Sequence, residues 1–380
     1  MFILSILGIL IFFYGLFEWN MAVYKPFDGS GHAEFKSVSI LVPCRNEAKT
    51  IRSNVLSMLE QDYPDFEVIV LNDNSTDGTT EILAELIQTH SQRLRVIQGQ
   101  SLPDGWQGKN FACHQLSVEA QKDWFLFVDA DTYHEPLMLK NAMHTALNAK
   151  AALLSTFPRQ RFGSWGDELV VPMMFFVLLT YLPMFFVSRR TWKWIGNIST
   201  ACGQFILVQS KSYQEIGGHG DLRDRISEGP LLAKAIKSSG AKVILRDGSK
   251  WVSCHMYDGF REAFSGFSRS VFASMGGSMG AILFFFIFQS IVFVLPIILL
   301  LVALISFKSI GSIIILFAAC LIPIWMRYRI HQRFGMSAKF IGLHSLSISL
   351  YHWIMLNSFT HYRIRKNTVW KGRSYASPKI

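Results

Sequence analysis

The five cysteines (Cys44, Cys113, Cys202, Cys254 and Cys320) are odd in number, and no two have the Cys-x-x-Cys spacing. This pattern argues against a disulfide framework and a cysteine zinc cage, and it fits a reducing compartment. Internal repeats and low-complexity linkers are also missing. The start of the chain lacks the basic flank and small-residue cleavage site of a signal peptide. The apolar run 2–24, with Glu18 as its only full charge, therefore reads as an uncleaved N-terminal membrane anchor.

Full charges are absent from Ser270 to Phe307. That length suffices for one spanning helix near 280–305, and Lys308-Ser309 then turns into a second apolar run, 309–326. The region 270–360 is expected to be membrane-embedded, with the basic Arg327–Lys339 loop on the cytoplasmic side. Its third segment, 340–358, carries His344, His352 and Asn357, and either spans the membrane or lies in its interface. Basic residues flank the apolar segments: Arg189, Arg190 and Lys193; Arg327, Arg329 and Arg333; and Arg363, Arg365, Lys366, Lys371 and Arg373 in the tail 361–380. The net charge of +10 is thus read as contact with an anionic leaflet, not as nucleic-acid binding. The expected location is the cell membrane, multi-pass, with the catalytic region on the cytoplasmic side.

From 37 to 268 the pattern changes to that of an α/β domain. Strand-like runs at 38–42, 66–71, 94–98 and 124–128 alternate with segments of helical spacing. Repeated β-α-β units predict a parallel sheet whose ligands bind beyond the carboxyl ends of the strands. Within this region 169–188 is uncharged and contains Pro172 and Pro183. It is read as a membrane-surface helix pair that helps to receive a lipophilic acceptor.

Three polar clusters fall at strand ends. Asp129-Ala130-Asp131 follows Phe125–Val128, and two carboxylates presented there suit Mg²⁺ or Mn²⁺ while leaving positions for phosphate and water. Acid-x-acid triplets are common, and Asp65-Phe66-Glu67 is a second one. Context singles out the first: Pro43-Cys-Arg45-Asn-Glu47 and Asn72-Asp73-Asn-Ser-Thr-Asp77 end the two preceding strands. Their side chains suit a base and ribose, although Asn and Asp favour turns and caps anyway.

These segments resemble the signatures of family 2 glycosyltransferases of the GT-A fold, a Rossmann-like catalytic domain. The resemblance implies an inverting enzyme with a nucleotide-sugar donor, usually a UDP-sugar, and a divalent metal. It implies that Glu47 and Asp73 contact uridine, Asp129 contacts ribose or diphosphate, and Asp131 ligates the metal, with Asp129 beside it. Pro43 and Arg45 belong to the same donor signature. Trp106-Gln-Gly-Lys109, Gly217-Gly-His219, Ser227-Glu228-Gly229 and Val369–Tyr375 resemble, within that family, membrane enzymes acting on carotenoid acids, and more distantly those acting on hopanoids and ceramide. Lys109 is expected at the donor diphosphate, or else is an exposed first-turn lysine. Gly203, Gln204 and Trp106 are expected on the acceptor side.

Many members of the family carry an acidic pair where this chain has Glu228-Gly229. Glu228 either acts as the general base alone, or the acceptor is a carboxylic acid that needs none. Another reading of Glu228 is a helix N-terminal acid. The expected function is transfer of a sugar, glucose from UDP-glucose, to the carboxyl of a carotenoid or terpenoid acid. The alternatives are transfer to another lipid, such as a polyprenyl phosphate, hopanoid, sphingolipid or glycerolipid, or polysaccharide synthesis. An inactive membrane scaffold is opposed by the intact Asp73, Asp129 and Asp131.

Overall fold

A computed structural model describes residues 2–30, 35–189, 198–365, 367–371 and 373–376. Arg190, Lys193 and Lys366 lie outside the described residues. The chain forms two compact units. One contains Tyr24–Arg159, Met184–His255 and Val369–Ile380; the other contains Met1–Val23, Gln160–Pro183 and Met256–Thr368.

The first unit is built on ten strands: β1 Val38–Cys44, β2 Phe66–Asn72, β3 Leu94–Gln98, β4 Trp124–Val128, β5 Thr132–His134, β6 Leu153–Ser155, β7 Arg159–Gln160, β8 Phe205–Gln209, β9 Val243–Leu245 and β10 Val252–Cys254. Seven of them form one sheet in the order β3-β2-β1-β4-β8-β6-β9. β3, β2, β1 and β4 run parallel, whereas β8 pairs antiparallel with both β4 and β6. The runs Ile40-Leu41-Val42, Val68–Leu71 and Phe125–Val128 are buried throughout. Strands covered on both faces have no solvent side for polar alternation, so their sequences read as continuous apolar runs.

The sheet opens where function needs it. β1 stays in register with β2 through Cys44↔Asn72, but its pairing with β4 stops at Leu41↔Phe127. From β1 the chain winds outward to β2 and β3, then returns to β4 on the other side, so the gap between β1 and β4 is a topological switch point. Pro43 falls beyond the last β1–β4 pair, where its missing N–H costs the β4 ladder nothing. The turn after β4 is pinned from below by Asn54, which is fully buried and donates through Nδ2 to the carbonyls of Asp129 (3.1 Å) and Thr132 (2.8 Å). The Thr132 hydroxyl also donates to the Asp129 carbonyl at 2.7 Å.

The second unit contains three helices long and apolar enough to cross a membrane: Phe2–Val23, Met279–Ile305 and Ile310–Arg333. Their outer surfaces are apolar: Phe12 is 66% exposed and Ile305 78%, and Phe307 in the turn after the second helix is 93% exposed. Such a surface on a folded unit marks contact with lipid or another apolar partner. Pro296 removes one amide from the second helix, a wide turn over Ser290–Val294 absorbs the defect, and the Ser345 hydroxyl donates to the Phe293 carbonyl at 2.8 Å. The segment 169–188 is helical at Pro172–Tyr181, and its residues up to Pro183 group with this unit. Asn20 of the first helix donates to its Leu179 and Leu182 carbonyls at 2.8 and 2.7 Å. The third C-terminal segment is a helix, His344–Thr360, that packs on Phe260–Ser274 through Asn357–Ser268 and Ser358–Phe272 hydrogen bonds.

Arg327 departs from the leaflet-facing position read from the sequence. It is 1% exposed, and it donates to the Glu168 carbonyl (3.1 Å), the Leu169 carbonyl (3.3 Å) and the Ser347 hydroxyl. The helix Trp165–Val170 leaves carbonyls short of partners because it runs for less than two turns, and the guanidinium serves two of them. Arg329 instead pairs with Glu18 at 3.0 Å.

Replacing Asn54 by Ala should take one donor from the buried Thr132 carbonyl and one from the part-buried Asp129 carbonyl, which keeps the Thr132 hydroxyl. The expected cost is about 1–3 kcal/mol, read as a lowered thermal midpoint in detergent. An unchanged midpoint would show that the turn after β4 holds itself.

Candidate functional site

Several segments of the α/β unit meet at the gap between β1 and β4. The loops after β1 and β2 are stitched to each other: Asn46 N donates to Ser75 Oγ (3.0 Å), Glu47 N to Thr79 Oγ1 (2.9 Å) and Ala48 N to Asp77 Oδ2 (3.0 Å). Asn46 Oδ1 accepts from Thr76 N at 2.8 Å. Asn46 and Asn74 both adopt φ of 53°, a left-handed conformation that Asn tolerates better than most residues. Much of the polar density in these two motifs is therefore turn chemistry, including Asp77, which also accepts from Thr79 ahead of the next helix. Arg45 extends the stitching, donating through Nη1 to the carbonyls of Asp73 (2.6 Å) and Asn74 (3.2 Å). Asp73 is buried at the end of β2, its N–H donating to the Cys44 carbonyl at 2.8 Å.

The charged centre lies on the β4 side. The ammonium of Lys109 stands 2.6 Å from Asp129 Oδ1 and 2.8 Å from Glu228 Oε1, bridging two carboxylates 99 positions apart in sequence. Local structure explains the meeting. Lys109 is in the first turn of the helix Gly108–Glu119, and that helix is tied to the loop before Glu228. Asn110 donates to the carbonyls of Leu222 and Arg225, and Gln107 N donates to the Arg223 carbonyl at 2.6 Å. Ser227, with φ of 66°, then turns the chain so that Glu228 opens the helix Glu228–Ser238. Glu228 is thus both a helix N-terminal acid and an ion-pair partner.

Two glycines make this bridge possible. A Cβ on Gly203 would lie 2.5 Å from Glu228 Oε1 and 3.2 Å from Lys109 Nζ. A Cβ on Gly229 would lie 2.7 Å from the Ala201 carbonyl oxygen and 3.0 Å from the Gly203 amide nitrogen. The neighbours of Gly229 are backbone and cannot step aside, so the position of the second acid in the family's acidic pair has no room for one here.

Burial raises the carboxyls of Asp129 and Asp131, and repulsion from Asp129 and Glu47 helps to push Asp131 to about 7. Asp131 Oδ1 is buried without a hydrogen-bond partner. Burial also acts to raise Glu228, but the adjacent Lys109 prevails and holds it below the usual carboxylate range. Burial works against the Lys109 ammonium, yet Asp129 and Glu228 keep it well above the ordinary lysine value. On the β1 side burial raises Glu47, an effect partly offset by its ion pair with Lys371.

The structure thus gathers Arg45, Glu47, Asp73, Lys109, Asp129, Asp131, Gly203 and Glu228 in one unit, with Pro43 near the end of β1. Gln204 and Trp106, expected on the acceptor side, have these surroundings. The Gln204 side chain is buried between two thiols, with Nε2 3.0 Å from Cys254 Sγ and Oε1 3.6 Å from Cys202 Sγ. The Trp106 ring packs on Phe111 and His114, with centroids 5.1 and 5.2 Å apart. His219 is buried against the Tyr213 hydroxyl at 2.8 Å, and burial lowers it to about 4, so it is a neutral packing residue. Asp65 and Glu67, the other acid-x-acid pair, spend their charge on Lys122 (2.7 Å) and Arg95 (3.5 Å). Two features escaped sequence reasoning: the closure of position 229 by backbone, and the seating of Lys371 on Glu47. The first left no signal beyond the glycine itself. The second left a basic Trp370-Lys371-Gly372-Arg373 tail that suited lipid equally well.

Gly203→Ala should separate Lys109 from Glu228 and lower activity on the order of 100-fold, the scale of losing one preorganised charge contact, while the protein still folds; full activity would refute the close approach. A carboxyl that ionises near 7 when folded but near 4 when unfolded costs stability as pH rises between those values. Metal-free Asp131→Asn should therefore melt above wild type near pH ~8, with the gap closing toward pH ~4. An equal gap at both pH values would remove Asp131 as its source.

Comparison with known proteins bears on the family and the fold. Residues 39–217 fit the profile described as Glycosyl transferase family 2. The chain is similar to the 4,4'-diaponeurosporenoate glycosyltransferases of Staphylococcus aureus, at 27% identity for strain bovine RF122 / ET3-1 and 26% for strain USA300. Each alignment covers 90% of this chain and 89% of the relative. In fold the chain is similar to the mannosyltransferase PcManGT from Pyrobaculum calidifontis, solved in complex with GDP-Man and Mn²⁺, with a TM-score of 0.57 and 17% identity over 93% of this chain and 98% of that one. Residues 39–217 thus form a family 2 glycosyltransferase region on the GT-A fold, and the chain is a nucleotide-sugar-dependent glycosyltransferase.

Proposed function

We propose that this enzyme transfers a sugar, glucose from UDP-glucose, to the carboxylate of a carotenoid or terpenoid acid and releases a glycosyl ester. The observation that carries this reading is the state of Glu228. It stands alone where the family's acidic pair would have two carboxylates, it is held by Lys109 below the usual pKa range, and Gly229 has no room for a second. A carboxylate so stabilised is a weak base and would deprotonate an alcohol poorly. An acceptor acid, ionised at neutral pH, needs no base at all. The names of the Staphylococcus aureus relatives point to the same acceptor class.

A divalent cation fits the donor side. Among the described residues no group of three or more His, Cys, Asp or Glu side chains forms a complete cage. The site instead offers Asp131 Oδ1, buried and unpartnered, beside Asp129. Mg²⁺ or Mn²⁺ is commonly held by one or two carboxylates together with substrate phosphates, so Asp131 and Asp129 would hold it. Bound there, the ion would supply positive charge to the departing diphosphate. Glu47 and Asp73 would receive the base at the ends of β1 and β2. The acceptor carboxylate oxygen forms its bond to the anomeric carbon as the bond to the UDP oxygen breaks. The electron pair leaves with UDP, and no proton changes hands. The apolar helices would keep the enzyme at the cell membrane, with its catalytic unit in the cytoplasm beside the nucleotide-sugar pool.

Purified enzyme in detergent, supplied with UDP-glucose and Mn²⁺, should glucosylate a terpenoid acid to an alkali-labile ester and leave the matched alcohol nearly untouched. Transfer to the alcohol alone would overturn the acceptor assignment. Asp131→Ala should lower transfer by on the order of 100-fold, and transfer that survives it would overturn the metal assignment.

A further inference from the structure

The turn Asp129-Ala130-Asp131 keeps two partly buried carboxylates of like charge together, and Glu47 adds to the repulsion on Asp131. Its backbone is anchored at both ends. The Asp131 carbonyl accepts from the His255 N–H at 3.4 Å. The Asp129 carbonyl accepts from Asn54 Nδ2 at 3.1 Å, from the Thr132 N–H at 3.2 Å and from the Thr132 hydroxyl at 2.7 Å, the shortest of the three.

That hydroxyl is itself held. Thr132 and His134 are two residues apart on β5, so their side chains share one face of the strand, and His134 Nε2 lies 2.8 Å from Thr132 Oγ1. Burial lowers His134 to about 3, so its ring is neutral and carries a single N–H. Nδ1 is buried without a partner. A proton on Nδ1 would be an orphaned buried donor, and it would turn the Thr132 proton from Asp129 to the ring. With the proton on Nε2, Nδ1 is only an unfilled acceptor, the less costly of the two. The ring therefore donates through Nε2 to the hydroxyl, and the hydroxyl gives its one proton to the Asp129 carbonyl.

The imidazole has a fixed seat. The His134 backbone pairs with Val252 of β10, its N–H donates to Ser57 Oγ at 3.3 Å, and its ring stacks on Phe205 with centroids 6.2 Å apart. Ser57 and Asn54 share the helix Ile51–Leu59, whose first N–H donates to the Glu47 carbonyl at 2.9 Å. One network thus joins the Glu47 loop to the Asp129 turn.

We propose that His134 is a positioning residue for the Asp129–Asp131 pair, acting through the Thr132 hydroxyl to keep the turn in the form in which both carboxylates meet one divalent cation. This rests on the reading of Asp131 and Asp129 as the residues that would hold the ion, and the test separates the two.

The full-length enzyme in detergent is titrated calorimetrically with UDP, once with Mn²⁺ and once with EDTA, and the ratio of affinities gives the gain due to the metal. Thr132→Val keeps the shape of the side chain without its hydroxyl. It should cut that gain on the order of 10-fold, the scale of lost support behind a metal ligand, and leave UDP binding in EDTA unchanged. Thr132→Ser should retain the gain. At 134, Gln places an amide N–H where Nε2 stands, whereas the shorter Asn reaches only the place of Nδ1. His134→Gln should therefore retain most of the gain, and His134→Asn should lose it as Thr132→Val does. Adding His134→Asn to Thr132→Val should cost nothing further, because both act through one hydroxyl. Equal gains in the Gln and Asn variants, or additive losses in the double variant, would overturn the role of His134. The Thr132 pair decides against it alone if Val and Ser bind alike, and a lowered thermal midpoint with the gain intact would make the network purely structural. If the wild-type affinity for UDP does not respond to Mn²⁺, the metal reading itself falls, and the positioning role with it.

Discussion

The constraint on which the site depends is the repulsion among carboxylates drawn together at the mouth of β1 and β4. Asp129 and Asp131 stand at the end of one strand, Glu47 beyond the end of the other, and Glu228 joins them on its helix. Partial burial denies each of them the solvent that would otherwise screen it, and such a group either finds a cation or gives up its charge. The protein satisfies part of this demand itself with Lys109. It leaves Asp131 short, with one oxygen unpartnered and a pKa of about 7. A site kept deficient in positive charge is costly for the empty fold and favours any ligand that brings a cation with it.

The sheet was legible because its determinants are local. Buried parallel strands need continuous apolar runs, and 38–42, 66–71, 94–98 and 124–128 each appear as strands extended by two residues at most. The placement of the polar clusters was legible for the same reason, since 43–47, 72–77 and 129–131 lie at the carboxyl ends of β1, β2 and β4, where a doubly wound sheet opens its crevice. Asp129-Ala-Asp131 and Asp65-Phe-Glu67 are indistinguishable as triplets, and only position on the sheet separates them: the second straddles the start of β2 and pairs on the surface with Lys122 and Arg95.

What stayed hidden depends on distant backbone. The Lys109–Glu228 bridge exists because Asn110 and Gln107 bind carbonyls of the loop 222–225, and no spacing rule connects those segments. Gln204 lies next to Gly203 yet turns its amide to Cys202 and Cys254. Arg327 follows an apolar run, as a membrane-flanking arginine does, but carbonyls in the short helix Trp165–Val170 drew it inside. In each case composition gave the residue the right kind of partner, and the fold chose a different one.

Glu228 and Gly229 show how a site can give up a function by geometry. In a site with two acids, one can be neutralised while the other stays free to accept a proton. Here the backbone at Ala201 and Gly203 occupies the volume of the second, and a Cβ on Gly203 would crowd the tips of Lys109 and Glu228. The three features depend on one another: a Cβ at 203 breaks the ion pair, and a side chain at 229 displaces the loop that keeps 203 in place. Restoring an acid at 229 alone would therefore disturb the Lys109 bridge before it supplied a base. The single acid is thus tied to a cation by a loop whose backbone leaves no volume for a second.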